Sequence, residues 1–109
     1  MHELGIALEI IDLVTERARG ARVRRVVLEI GKLTAVLPDA IRFCFDACSA
    51  DTVAEGAELE TVETPARARC RACGDQVILE GPYEGCRCGS FDLEWVSGME
   101  LTIRELELA

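Results

Sequence analysis

Four of the six cysteines lie in one stretch, RCRACGDQVILEGPYEGCRCGSF, as a pair split by two residues (Cys70, Cys73) and a pair split by one (Cys86, Cys88). Two cysteine hooks joined by a short strand-and-turn segment predict the four thiolates of a tetrahedral structural zinc site. The competing explanation is two disulfides or four unrelated thiols. Nothing at the N-terminus resembles an export signal, and a reducing cytosol keeps such thiols free, so disulfides are disfavoured. Four thiolates fill the shell of Zn(II) and leave no open position for water, which predicts a metal that holds structure and performs no reaction.

The second candidate is His2, the only histidine in the chain. The amine of Met1, the backbone nitrogen and imidazole of His2 and the backbone nitrogen of Glu3 can close adjoining chelate rings around one ion. Four nitrogens near one plane suit Ni(II) or Cu(II) better than zinc. Backbone nitrogens must lose their protons to bind, so affinity should rise with pH. The plain alternative is a solvated histidine at residue 2 by chance. The donor set alone does not choose between nickel and copper.

The rest of the chain must position these groups. At 109 residues it is one domain's worth, or a small domain carrying a smaller one. The formal net charge of -8 argues against phosphate-backbone binding, and no apolar run reaches the length of a membrane span. Leu4, Ala7, Leu8, Ile11, Val14 and Ala18 repeat at helical spacing, and Gly20 ends that helix. Val26, Leu28 and Ile30 alternate with Arg25, Val27 and Glu29 as a half-buried strand should. Arg17, Arg19, Arg22, Arg24 and Arg25 form a local basic cluster, expected to be a solvated helix end and strand edge balanced by glutamates of neighbouring strands, with a docking patch for an acidic partner as the alternative.

A second helix opens at Pro38, with Ile41, Cys44, Phe45 and Cys48 along one stripe. Cysteines four apart can share a metal, but core packing is the expectation for both. Residues 58–63 read as a strand running parallel to 23–30, by the handedness of strand-helix-strand units. After Ser97 and Gly98, MELTIRELEL alternates as a last strand whose phase slips near Glu105. The fold class is therefore α/β (α+β): residues 1–65 plus 97–109 form the larger domain, and residues 66–96 are inserted into it. The insertion offers Val77, Ile78, Leu79, Tyr83, Phe91, Leu93 and Trp95 as core material. So small a core seldom offsets chain entropy of about 1.5 kcal/mol per residue, and a bound structural zinc supplies the difference.

MHELGIALEII, the CRAC and CRCGS elements and the ending SGMELTIRELEL together resemble the HypA/HybF family of hydrogenase-maturation nickel metallochaperones. The resemblance runs along essentially the whole chain. It implies two helices against a three-stranded mixed sheet, with a zinc-ribbon-like domain inserted before the last strand. It implies nickel held by Met1, His2 and Glu3 and zinc held by Cys70, Cys73, Cys86 and Cys88; the composition itself leads to the expectation of a cytoplasmic protein, and the sequence leaves monomer or homodimer open. The implied work is delivery of Ni(II) to the large subunit of [NiFe]-hydrogenase with the GTPase HypB, and in some relatives to urease maturation proteins. One departure stands out: the family's second hook is usually Cys-x-x-Cys-Gly, so Gly85 occupies the place of a cysteine and Cys86 is displaced by one residue. That predicts a strained or weaker bond from Cys86.

Two other classes compete. A zinc-ribbon adaptor for protein or nucleic acid draws on Arg67, Arg69, Arg71 and Arg87, but the acidic total opposes a phosphate ligand. An enzyme lacks a histidine beyond His2 to act as base and lacks a Walker-type or dinucleotide loop.

Overall fold

A computed structural model describes residues 3–81 and 83–109, so Met1 and His2 lie outside the described residues. The elements in order are α1 (Glu3–Ala18), β1 (Val23–Gly31), a short 3-10 turn (Lys32–Thr34), α2 (Pro38–Cys48), β2 (Glu58–Thr64), β3 (Ala66–Cys70), β4 (Gln76–Leu79), β5 (Leu93–Ser97) and β6 (Leu101–Leu108). Among the described residues, two helices thus accompany two three-stranded sheets, ordered β2-β1-β6 and β4-β3-β5. The chain divides into two compact units, one of residues 1–28, 36–62 and 102–109, the other of residues 29–35 and 63–101.

In the first unit α1 packs against α2. Helix α1 buries Ile6, Ala7, Ile10, Ile11, Val14 and Ala18, whereas Leu4 and Leu8, expected on that face, are exposed: the buried stripe is turned toward Ile6 and Ile10. Ile41 and Phe45 of α2 are wholly buried, as are Val14 and Val26. Pro38 starts α2 because its missing N–H would be unpaired in the first turn in any case. Strand β1 is the middle strand of its sheet, paired antiparallel with β6: Ala109 N–H donates to Arg22 O at 2.9 Å, and Gly31 N–H donates to Glu100 O at 2.8 Å at the other end. A middle strand is shielded on both edges, and Val27, expected to face outward, is buried like its neighbours. The basic cluster is balanced as expected at its strand positions: Arg24 pairs with Glu107, and Arg25 meets Glu60 at 3.1 Å and Glu107 at 3.0 Å. The phase slip in β6 falls at Glu105, where two exposed residues follow each other.

The second unit has its own antiparallel sheet, with Ala68 opposite Val77 on one side and opposite Trp95 on the other. Its core is Ala68, Cys70, Val77, Leu79, Cys86 and Leu93, with Trp95 packed on it. Three residues expected in that core are outside: Ile78 is 69% exposed, Tyr83 91% and Phe91 71%. Strand alternation explains the first, since Val77 and Leu79 take the inward positions of β4. Ala68 and two cysteines share the core with Val77, Leu79 and Leu93 instead. A core of that size makes the metal ligands part of the packing.

Candidate metal centre

Each cysteine hook is built by a pair of backbone hydrogen bonds. In the first, Cys70 N–H donates to Asp75 O and Gly74 N–H donates to Cys70 O, both at 2.8 Å. In the second, Cys86 N–H donates to Ser90 O and Gly89 N–H donates to Cys86 O, both at 2.9 Å. The second hook is the first with one residue removed. Each closes on a glycine in the left-handed region, Gly74 at φ 82° and Gly89 at φ 97°, where a side chain would be strained. The short spacer is therefore absorbed by a tighter turn. The Arg71 guanidinium latches the first hook to the entry of β5, meeting Asp92 at 3.0 Å and the Leu93 carbonyl at 3.2 Å.

The hooks bring all four sulfurs within 4.8 Å of one another. Cys70 Sγ lies 3.7 Å from Cys88 Sγ, and Cys73 Sγ lies 3.6 Å from Cys86 Sγ. A tetrahedron with zinc–sulfur bonds of about 2.3 Å has sulfurs about 3.8 Å apart, and a disulfide would need about 2.0 Å. The cluster fits a structural zinc site, and its cysteines are free thiols. Cys70 and Cys86 are buried while Cys73 and Cys88 are exposed, so each hook gives one inner and one outer sulfur. The inner sulfur of one hook faces the outer sulfur of the other.

The electrostatics divide the four unequally. The Cys73 backbone N–H, helped by that of Ala72 and by the Cys73 and Cys88 thiols, outweighs burial and holds the Cys70 thiol down to about 6. The Asp75 backbone N–H lowers the Cys73 thiol, but the Cys86 thiol, burial and the remaining thiols outweigh it and push it up to about 12. Cys88 is likewise raised: the Ser90 N–H lowers it, and the Cys86 and Cys70 thiols with burial win. Four close sulfurs cannot all carry charge without a cation among them. The site is thus half prepared, with one thiolate formed and others held as thiols until a metal arrives.

Gly85, the position where the resemblance places a cysteine, has no room for one. A Cβ there would stand 2.9 Å from the Ser90 carbonyl oxygen and 2.9 Å from the Phe91 ring. Cys86 is the residue that reaches the cluster. Sequence reasoning did not anticipate the Arg71 latch, although an arginine inside a hook with an aspartate before the next strand was a visible signal.

Of the second candidate set, Met1 and His2 lie outside the described residues, and Glu3 is the first residue of α1. The first four N–H groups of a helix have no intrahelical acceptor, so the Glu3 nitrogen is not committed to the helix ladder. Its carboxylate suits the positive end of the helix dipole. Cys44 and Cys48 are not among the clustered sulfurs.

Known proteins align with the chain along its length. The family model described as "Hydrogenase/urease nickel incorporation, metallochaperone, hypA" matches residues 1–108. The hydrogenase maturation factor HypA of Nostoc punctiforme is 55% identical over 108 residues, covering 99% of this chain and 96% of that protein. Its counterpart from Trichormus variabilis is 56% identical with the same coverage. The solution structure of the Ni metallochaperone HypA from Helicobacter pylori, at 24% identity, superposes with a TM-score of 0.70 and covers 99% of this chain and 97% of that one, a likeness of fold.

Proposed function

The chain belongs to the HypA family of hydrogenase and urease nickel-incorporation metallochaperones, and we propose that it binds Ni(II) at its N-terminus and delivers it during maturation of [NiFe]-hydrogenase. The observation that carries this reading is the family match over residues 1–108, with relatives more than half identical across nearly the whole chain. The nickel donors are the Met1 amine, the His2 backbone nitrogen and imidazole, and the Glu3 backbone nitrogen. Glu3 supports the assignment, since its N–H begins a helix and is free of the ladder. Ligands at a chain end can leave one at a time, which suits an ion that is handed on.

Zn(II) is held by Cys70, Cys73, Cys86 and Cys88, which the four-sulfur geometry fits. Bound there, zinc supplies cohesion to a unit whose own core is small, and residues 66–96 act as the inserted domain that it stabilises. The closed shell favours carriage over turnover, and any nucleotide hydrolysis comes from a partner. The partners are maturation proteins, with the GTPase HypB, the large hydrogenase subunit and urease maturation proteins as the specific candidates. Among the described residues no helix is long and apolar enough to cross a membrane, and we place the work in the cytoplasm.

The test is in cells from which this chain has been deleted. Expressing it should restore nickel content and activity of the hydrogenase, and His2→Ala should restore neither at low external nickel. Full restoration by His2→Ala would remove the N-terminus from the mechanism.

A further inference from the structure

Cys44 and Cys48 are the two cysteines left over by the zinc-type cluster. Their sequence spacing predicts core packing, and the structure does not bear that out. Ile41 and Phe45 fill the buried stripe of α2, whereas Cys44 and Cys48 lie at its margin and are only partly buried. The reason is angular: successive turns carry residues 41 and 45 inward and leave 44 and 48 on the flank.

That placement sets two cysteines one turn apart on the flank of a well-anchored helix. Residues four apart on a helix stand one above the other with Cβ atoms about 5–6 Å apart. The helix beneath them is fixed by Pro38 at its start, by the wholly buried Ile41 and Phe45, and by the Ser49 N–H donating to Phe45 O at 2.9 Å at its end. Both thiols are free.

The ligand count selects the ion. Among the described residues, the one group of three or more His, Cys, Asp or Glu side chains close enough to share a metal is Cys70, Cys73, Cys86 and Cys88. Nothing there supplies the third and fourth donors that zinc wants for its tetrahedron, or the planar nitrogens that suit Ni(II). Two thiolates alone suit a soft monovalent cation content with two sulfurs. We propose that Cys44 and Cys48 form a second, bidentate metal site for a cation of the Cu(I) class, separate from the zinc and nickel ligands.

Binding is a simple exchange. Each sulfur forms one bond to the cation and gives its proton to solvent, so two thiols and one monovalent ion become a bis-thiolate of charge −1 and two protons. No electron is transferred, and affinity rises with pH.

The experiment titrates the zinc-loaded full chain with Ag(I), a redox-inert ion of the same charge and the same preference for sulfur. Native mass spectrometry counts bound ions while a chromogenic chelator reports released zinc. The unaltered protein should take up about one Ag(I) before any zinc leaves. In Cys44→Ser, Cys48→Ser and the double variant that zinc-sparing uptake should vanish, the first Ag(I) displacing zinc instead. Zinc release from the first addition to the unaltered protein overturns the proposal. So does zinc-sparing uptake that survives in either single variant or in the double. If helical circular dichroism shows the serine variants unfolded, Cys44→Ala and Cys48→Ala replace them with the same readouts.

Discussion

The Cys86 N–H donates to the Ser90 carbonyl at 2.9 Å, closing a hook one residue tighter than the one that Cys70 closes on Asp75. This bond lets a one-residue spacer present a sulfur 3.6 Å from Cys73. Cys86→Ala should therefore weaken zinc binding by more than roughly 100-fold, beyond the 10–100-fold typical of losing a supporting group. The pair of changes Gly85→Cys and Cys86→Ala, which restores the commoner spacing, should not rescue it, because a Cβ at 85 meets the Ser90 oxygen at 2.9 Å. Competition against a chromogenic chelator measures both.

Removing zinc should release one unit before the other. Trp95 is the chain's only tryptophan and packs against the core that contains Cys70 and Cys86. Chelation should change its fluorescence at a point where the helical signal of α1 and α2 is retained. Structural zinc contributes apparent energies of about 10–16 kcal/mol in small peptides, a large share for a unit whose core has six residues. Simultaneous loss of both signals would show that the metal holds the whole chain.

Acid should weaken zinc binding in two regimes. At pH 7 the metal-free Cys70, lowered to about 6, has already lost its proton, whereas Cys73, raised to about 12, still carries one. Cys88 is raised as well. For the metal-free fold the signs are opposite. The Cys70 contribution is complete above the unreacted thiol value of 9.0 and is lost as pH falls through about 6. The Cys73 contribution is complete below 9.0 and is lost as pH rises through about 12. Zinc must therefore displace about one more proton below pH 6 than at pH 7. A plot of log affinity against pH should steepen as pH falls through that value.

Much of this was legible in the chain. Part of each helix face was legible, since Ala7, Ile11, Val14 and Ala18 of α1 and Ile41 and Phe45 of α2 are inside while Leu4, Leu8, Cys44 and Cys48 are not, and the slip at Glu105 announced itself by two polar residues in succession. The cysteine spacing gave the metal site. What the sequence hid was the way a small unit fills its core. Tyr83 and Phe91 read as core because they are large, yet both are exposed, while Ala66 and Ala68 take inward positions of β3 and Trp95 is the ring that packs on the core. The fit of Cys86 was hidden too, since a spacer of one residue looks strained until the turn behind it is seen to shrink with it.

Gly31 should tolerate no side chain. Its N–H donates to Glu100 O at 2.8 Å, and an added Cβ would overlap the Gly98 carbonyl and stand 2.9 Å from the Glu100 oxygen. All three are backbone atoms, so none can swing aside. Gly31→Ala should cost about 3 kcal/mol, at the upper end for overpacking, whereas Gly5→Ala, with nothing within 4 Å of the added Cβ, should be neutral or mildly stabilising. Thermal unfolding of the two variants makes the comparison.

Calorimetry with Ni(II) is the most direct test of the proposed nickel site at the N-terminus. The unaltered, zinc-loaded chain should bind about one Ni(II), while His2→Ala and a chain extended by one residue before Met1 should bind none with comparable affinity and keep their zinc. Undiminished nickel binding by either variant would contradict the account.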